Sequence, residues 1–288
     1  MEPYKSSAES KRSVSSESQD VIKDYNYFKL FPVAERQLWK VSDIPWDKID
    51  KQAVPSGLLS IIRELAYAEL TTYTATQKFM ELFADDLDFT SWLSIWFYEE
   101  SKHPLVLMKW LSYFGDQFDA SYIRKGREIH PMRDDRLEML CMNIISEVMA
   151  AQAYSGFSTV VKEPALNAIL HLLSVDETRH ANSFYVYARA LLNKSENKVA
   201  DRLSALRVLF YCLYSMEQHH PVNEFVMRVR GQLADSSAQL GMDNPDVQKI
   251  LLHKFSQLTG LQLASKQDII GNIQELRSEA GETNASGN

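Results

Sequence analysis

The chain is poor in the residues that punctuate or staple a fold: 288 residues hold ten glycines, nine prolines and two cysteines. Cys141 and Cys212 are far apart and each sits in an apolar stretch, which excludes a disulfide scaffold and a thiolate metal cluster and suits a reducing cytoplasm. No run approaches the roughly 18 continuous apolar residues of a spanning helix, and the N-terminus lacks the apolar core of a secretory signal. A soluble, cytoplasmic protein with no membrane span is the expectation. Positive charge is also short: the net charge of −7 weighs against nucleic-acid binding, which draws most of its energy from Lys and Arg on phosphates. Strand-like alternation of apolar and polar residues is missing as well.

What is abundant is Leu, Ala, Met and aromatic residues at three- and four-residue spacing, within a chain that is 45% hydrophobic. That pattern predicts an all-α protein with a large core. Residues 1–22, rich in Ser, Glu and Lys, read as a disordered tail, 23–278 as one helical domain and 279–288 as a second disordered tail. From Tyr25 to Ile49, Trp39, Trp46 and other aromatics lie among Pro32 and Pro45, as expected of an irregular or short-helical arm packed on a bundle. Helices are expected over 56–83, from a Thr90 cap to Gly115 with an interruption at Pro104, over 136–161, from Pro164 to about Asn193 and over 199–230, with shorter ones after Leu251. Residues 116–134 read as a polar loop.

Two of these helices carry E-x-x-H. A three-residue step turns an α-helix by about 300°, so Glu and His lie one turn apart on one face. Leu93, Trp96 and Leu107 place Glu100 and His103 on an apolar stripe, and Leu170, Leu173, Phe184 and Tyr187 do the same for Glu177 and His180. A buried charge must be protonated, paired or metal-bound. Two lone glutamates also fall on buried stripes: Glu69, seven residues after Ile62 and four before Tyr73, and Glu147, beside Leu140, Ala150, Ala151 and Tyr154.

Glu69, Glu100, His103, Glu147, Glu177 and His180 thus form the ligand set of a ferritin-like dinuclear carboxylate bundle, brought together by four antiparallel helices. Four carboxylates neutralise two divalent ions, and this hard oxygen and nitrogen set suits iron facing dioxygen better than zinc. Asp176 and Arg179 stand where they could orient these ligands. Small residues around Ala150, Ala151, Ala153 and Gly156 leave room for dioxygen or a substrate chain, or serve close helix packing. Glu217 and His220 repeat the spacing but stay outside a set that is already complete. An iron-storing bundle and a non-catalytic scaffold are the rivals. The aromatic arm and C-terminal helices argue against the first, and six metal-type residues in register argue against the second.

Glu69-Leu70-Thr71-Thr72-Tyr73, Glu99-Glu100-Ser101-Lys102-His103, Glu147, Asp176-Glu177-Thr178-Arg179-His180 and the later Leu258-Thr259-Gly260-Leu261 resemble the soluble acyl-carrier-protein desaturases, over roughly residues 56–275. The chain departs from that family at Ala150, where a Thr is frequent, and at Pro104. The resemblance implies a homodimeric oxidoreductase with two irons that uses dioxygen and electrons from a ferredoxin-type donor. Its product would be a double bond in a fatty acyl chain held on an acyl-carrier protein. A hydroxylase or N-oxygenase on the same scaffold is the alternative. Arg124, Lys125 and Arg127 are the densest positive cluster and the expected carrier-docking site.

Overall fold

The computed structural model describes residues 27–55, 57–128, 132–214 and 241–281, with Phe225, Arg228 and Val229. Glu217, His220 and Pro221 lie outside the described residues, as do all of the 1–22 tail and most of 279–288. The described residues form helices and turns with no strand.

Helix α1 (Tyr27–Arg36) and three single 3-10 turns make up the N-terminal arm. The bundle proper is α2 (Leu58–Glu69) with α3 (Thr72–Leu82), α4 (Leu87–Ser112), α6 (Arg136–Val160) and α7 (Pro164–Lys194). Between α4 and α6 lies the short α5 (Ala120–Gly126); α8 (Lys198–Leu213), α9 (Pro245–Thr259) and α10 (Lys266–Glu279) follow α7. Short polar side chains start most of these helices by accepting a backbone N–H: Asp86 for α4, Asp135 for α6 and Asn197 for α8. Gly115, at φ 86°, turns the chain out of α4.

Several local expectations are corrected. The first long helix is two, because Leu70 and Thr71 close 3-10 bonds back to Tyr67 and Ala68 and the Thr71 hydroxyl also donates to the Ala68 carbonyl. Tyr73, expected on the buried stripe, is 38% exposed as a result. Thr90 does not cap α4; it lies inside it and bonds the Asp86 carbonyl. Pro104 does not interrupt α4, which is helical on both sides of it. The polar loop contains α5, and α8 ends at Leu213.

The interior divides into two apolar clusters with a polar belt between them. One holds Phe79, Phe89, Trp92, Trp96 and Phe184, the other Ile62, Leu65, Leu107, Trp110, Tyr154, Leu170 and Leu173. Each long helix passes from one cluster to the other. Following those memberships, α2–α3 and α7 run one way and α4 and α6 the other. The four are therefore not all mutually antiparallel, and residues 113–135 must return along the bundle as a crossover. The crossover climbs one face of α2–α3: Asp116 pairs with Arg63, the Tyr122 hydroxyl donates to the Arg63 carbonyl, Gly126 sits on Leu70, Thr74 donates to the Arg127 carbonyl and Arg136 to that of Leu82.

Candidate metal centre

The polar belt lies where all four helix positions of the bundle carry acids or histidines. Glu69 ends α2, Glu100 and His103 sit mid-way along α4, Glu147 on α6, and Glu177 and His180 on α7. The fold brings the six together as two overlapping groups. In one, Glu69, Glu100, His103 and Glu177 each offer an atom within 4.8 Å of the others; in the second, Glu100, Glu147, Glu177 and His180 do. Glu100 and Glu177 belong to both.

Nδ1 is the imidazole nitrogen that faces the belt. His103 Nδ1 lies 3.5 Å from Glu69, 3.7 Å from Glu100 and 3.2 Å from Glu177. His180 Nδ1 lies 2.9 Å from Glu100, 3.3 Å from Glu177 and 3.7 Å from Glu147. The opposite nitrogens meet carboxylates. His103 Nε2 is 3.3 Å from Asp176 and His180 Nε2 is 3.0 Å from Glu99. A proton held on Nε2 by each carboxylate leaves the Nδ1 lone pair for a metal.

Arg179 ties the two carboxylates together, with a bidentate pair on Glu99 at 2.7 and 2.6 Å and a third bond to Asp176 at 2.6 Å. Trp39 reaches in from the arm, its Nε1 donating to Asp176 at 2.7 Å. The Lys102 ammonium, itself buried, donates to the Trp39 carbonyl and stands 4.0 Å from the indole centroid, fixing that arm to α4. The ligand-side carboxylates are held as well: Thr72 donates to Glu100 at 3.1 Å, Trp96 Nε1 to Glu147 at 3.2 Å, and the Tyr154 hydroxyl to Glu69.

The crowded acids and imidazoles of the belt shift one another's protonation strongly. Burial and the neighbouring Glu177 push Glu100 up to about 7 and hold Glu147 well above the usual carboxylate range. Burial opposes charge on Glu177, but the hydrogen bond from Glu147 and the charge of His103 outweigh it and hold Glu177 well below that range. Both histidines are raised well above their ordinary value, since the surrounding glutamates overcome the cost of burial. Asp176 likewise falls to about 2, the bond with His103 outweighing burial.

Glu100 Oε1 and His103 Nδ1 are buried and face only groups of the belt itself, Glu100 Oε1 at 2.9 Å from His180 Nδ1 and His103 Nδ1 at 3.2 Å from Glu177. A set of four carboxylates and two imidazole nitrogens, buried and converging, fits a pair of divalent cations.

Asp176 lies against His103 and Arg179 against Glu99 and Asp176, whereas Glu99, Trp39, Thr72, Trp96 and Tyr154 were not singled out from sequence. The signal for Glu99 was available, because it precedes Glu100 as Asp176 precedes Glu177. Ala151 favours close packing over an open channel: its carbonyl accepts from Ser174 at 3.1 Å across α6 and α7. Arg124, Lys125 and Arg127 are exposed on and after α5, with Arg127 lying 4.6 Å from the Tyr73 ring centroid.

No family model matches the chain, and no curated protein matches it. Solved structures do. A variant R2-like ligand-binding oxidase with an aerobically reconstituted Fe/Fe cofactor shares 18% identity at a TM-score of 0.57, covering 88% of this chain and 99% of its own. An R2-like ligand-binding oxidase with a Mn/Fe cofactor gives 16% identity and 0.57 over the same shares, 88% and 99%. Another Mn/Fe variant gives 16% and 0.54 over 93% of this chain and 98% of that one. The likeness shows the fold: the chain is an all-α, ferritin-like helical bundle.

Proposed function

We propose that the protein is a dioxygen-dependent oxidoreductase with a dinuclear iron centre held by Glu69, Glu100, His103, Glu147, Glu177 and His180. The observation that carries this reading is the pair of overlapping four-residue groups sharing Glu100 and Glu177. The fold likeness to oxidases that carry Fe/Fe or Mn/Fe cofactors supports it.

When bound and reduced, such a pair of irons would react with dioxygen to supply an oxidant able to remove hydrogen from an unactivated C–H bond. The chain's part is positional. Asp176 and Glu99 fix the imidazoles through Nε2, and Arg179 holds those two carboxylates in register. Thr72, Trp96 and Tyr154 restrain one carboxylate each. Phe79, Trp92, Trp96 and Phe184 pack ring against ring on the His180 side and exclude water there.

The substrate in this reading is a fatty acyl chain on an acidic carrier protein, desaturated with electrons from a ferredoxin-type donor. Support comes from the motif resemblance and from the exposed Arg124, Lys125 and Arg127. The protein would act as a homodimer. Hydroxylation or N-oxygenation is the second reading, favoured by Ala150 where the desaturases often carry Thr.

The deciding experiment is Fe(II) loading under anaerobic conditions, with metal content and Mössbauer spectra before and after dioxygen, for wild type, Glu147→Ala and His180→Ala. A coupled pair of irons, oxidised by dioxygen in the wild type, with the coupling lost and the iron content lowered in both variants, is the expected result; iron indifferent to both substitutions would sink the proposal. Loading with equal manganese and iron tests whether one position takes manganese. Mass analysis of carrier-bound acyl chains then separates loss of two hydrogens from gain of an oxygen.

A further inference from the structure

We infer that Gly126 of α5 is a positioning residue for one of the two metal positions, acting on Glu69 through Leu70. This rests on the dinuclear reading above and adds to it a selective control from outside the bundle.

Glu69 is the last residue of α2, and the break at Leu70 and Thr71 separates it from Thr72, the first residue of α3, whose hydroxyl holds Glu100. Glu69 therefore lacks the continuous helical backbone that fixes Glu100, Glu147 and Glu177. At 9% exposure its side chain is also the least buried carboxylate of the set. Something else must set where this helix end lies. The Tyr154 hydroxyl holds the carboxylate itself, but the backbone at the break is met from outside by the crossover.

The contact there is unusually close. A methyl group added at Gly126 would stand 2.5 Å from Leu70 Cδ1, 2.8 Å from Leu70 Cβ and 3.2 Å from Cγ. The Cδ1 clash could be relieved by a rotamer change, but the Cβ is fixed by the backbone, so either α5 or the break itself would have to move. Leu70 is buried, at 4% exposure. The adjoining rungs hold α5 in place on both sides: Tyr122 on Arg63 below, and Arg127 on Thr74 and on the Tyr73 ring above. Room for Leu70 under α5 thus exists only because residue 126 has no side chain.

The consequence is asymmetric. Glu69 contributes to the group containing His103 and not to the group containing His180. Moving the break displaces a ligand of one position, and reaches the other only through the Thr72 bond to the shared Glu100, so the first should weaken more than the second, an outcome that general destabilisation of the bundle does not produce.

The test loads the full chain anaerobically with Fe(II) and follows both the stepwise binding isotherm and the Mössbauer spectrum, for wild type, Gly126→Ala and Leu70→Ala. The two substitutions disturb the same contact in opposite ways, one overfilling it and the other emptying it, so the inference does not depend on either variant alone folding. Expected for each folded variant is a loss of about tenfold or more in affinity for one equivalent of iron, the usual scale for residues that orient ligands, with the second equivalent clearly less affected. Retention of both equivalents at wild-type affinity in both variants, or equal weakening of the two positions, overturns the inference. Failure of the wild type itself to bind two equivalents would instead overturn the dinuclear reading, so the two failures are distinguishable.

Discussion

The two halves of the polar belt are alike in their ligands and unlike in their surroundings. On α4 and α7 the same order of residues recurs: an acid, the shared glutamate, two intervening residues and the histidine. In each case the leading acid crosses to the other helix's histidine, Asp176 to His103 and Glu99 to His180, and Arg179 joins the two acids. Around this symmetric core the neighbours differ. The His180 half is set in a cage of Phe79, Trp92, Trp96 and Phe184, with Glu147 in the middle of an unbroken helix. The His103 half is finished by parts of the chain that come from outside the bundle: Trp39 from the arm, and Glu69 at a helix break covered by the crossover. In the dinuclear reading one metal position would be built by the core and the other by elements laid over it, so substitutions should fall into a shared class, a class for each half and a class that spares both.

The largest effect belongs to the shared carboxylates. Glu177→Ala removes an oxygen donor from both groups and should abolish binding of both iron equivalents, read by metal analysis, whereas Glu147→Ala should leave the His103 position able to bind. Equal loss in the two variants would break the comparison.

Next come the acids behind the histidines. Asp176→Asn and Glu99→Gln each leave a shape in place while removing the charge that holds a proton on Nε2. About 10- to 100-fold weaker metal binding is expected from each, at the His103 position for the first and the His180 position for the second. Trp39→Phe tests the same path further out. It takes one of the two donors from Asp176 Oδ2, which keeps His103 Nε2, a cost of about 1 kcal/mol, measurable by urea unfolding, and should affect the His103 position alone.

A stability effect that spares both positions is expected at Glu163. This fully buried side chain accepts from Trp110 Nε1 and Leu166 N at 2.7 Å each and from Asp50 N at 3.1 Å, pinning the arm and the start of α7. Glu163→Ala should cost about 2 kcal/mol from the lost cap and stranded donors, with iron stoichiometry unchanged.

How much of this was legible in the sequence follows the same division. Residues placed by helical period alone were readable: Glu100, His103, Glu147, Glu177 and His180 lie where three- and four-residue spacing puts them, on stripes that are buried in the fold. The fold class was readable for the same reason. Contacts between elements were not, because periodicity carries no information about which helix approaches which. Trp39 on Asp176 and Tyr154 on Glu69 span 137 and 85 residues of chain. The break after Glu69 had a local sign, Thr71, Thr72 and Thr74 around Tyr73, whose branched side chains and hydroxyls compete with helical bonding. The shared direction of α4 and α6 had none, since a crossover and a simple turn differ only in what the connection packs against.

The smallest effect is expected where the crossover faces solvent. Arg124 and Lys125 are exposed on α5, away from the ligands, and a carrier protein rich in acidic side chains would meet them first. Reversing both to Glu should raise KM for carrier-bound acyl chains, leave kcat and iron content unchanged, and lose its effect as ionic strength shortens the reach of surface charge. Arg127 is the less clean choice, because its guanidinium also packs on Tyr73 and its carbonyl accepts from Thr74 beside the break. A change there could reach Glu69 mechanically as well as electrostatically. The contrast between the two sites is therefore informative: a salt-sensitive KM effect at Arg124 and Lys125 alone assigns docking to α5, whereas an unchanged KM there removes the carrier from this surface.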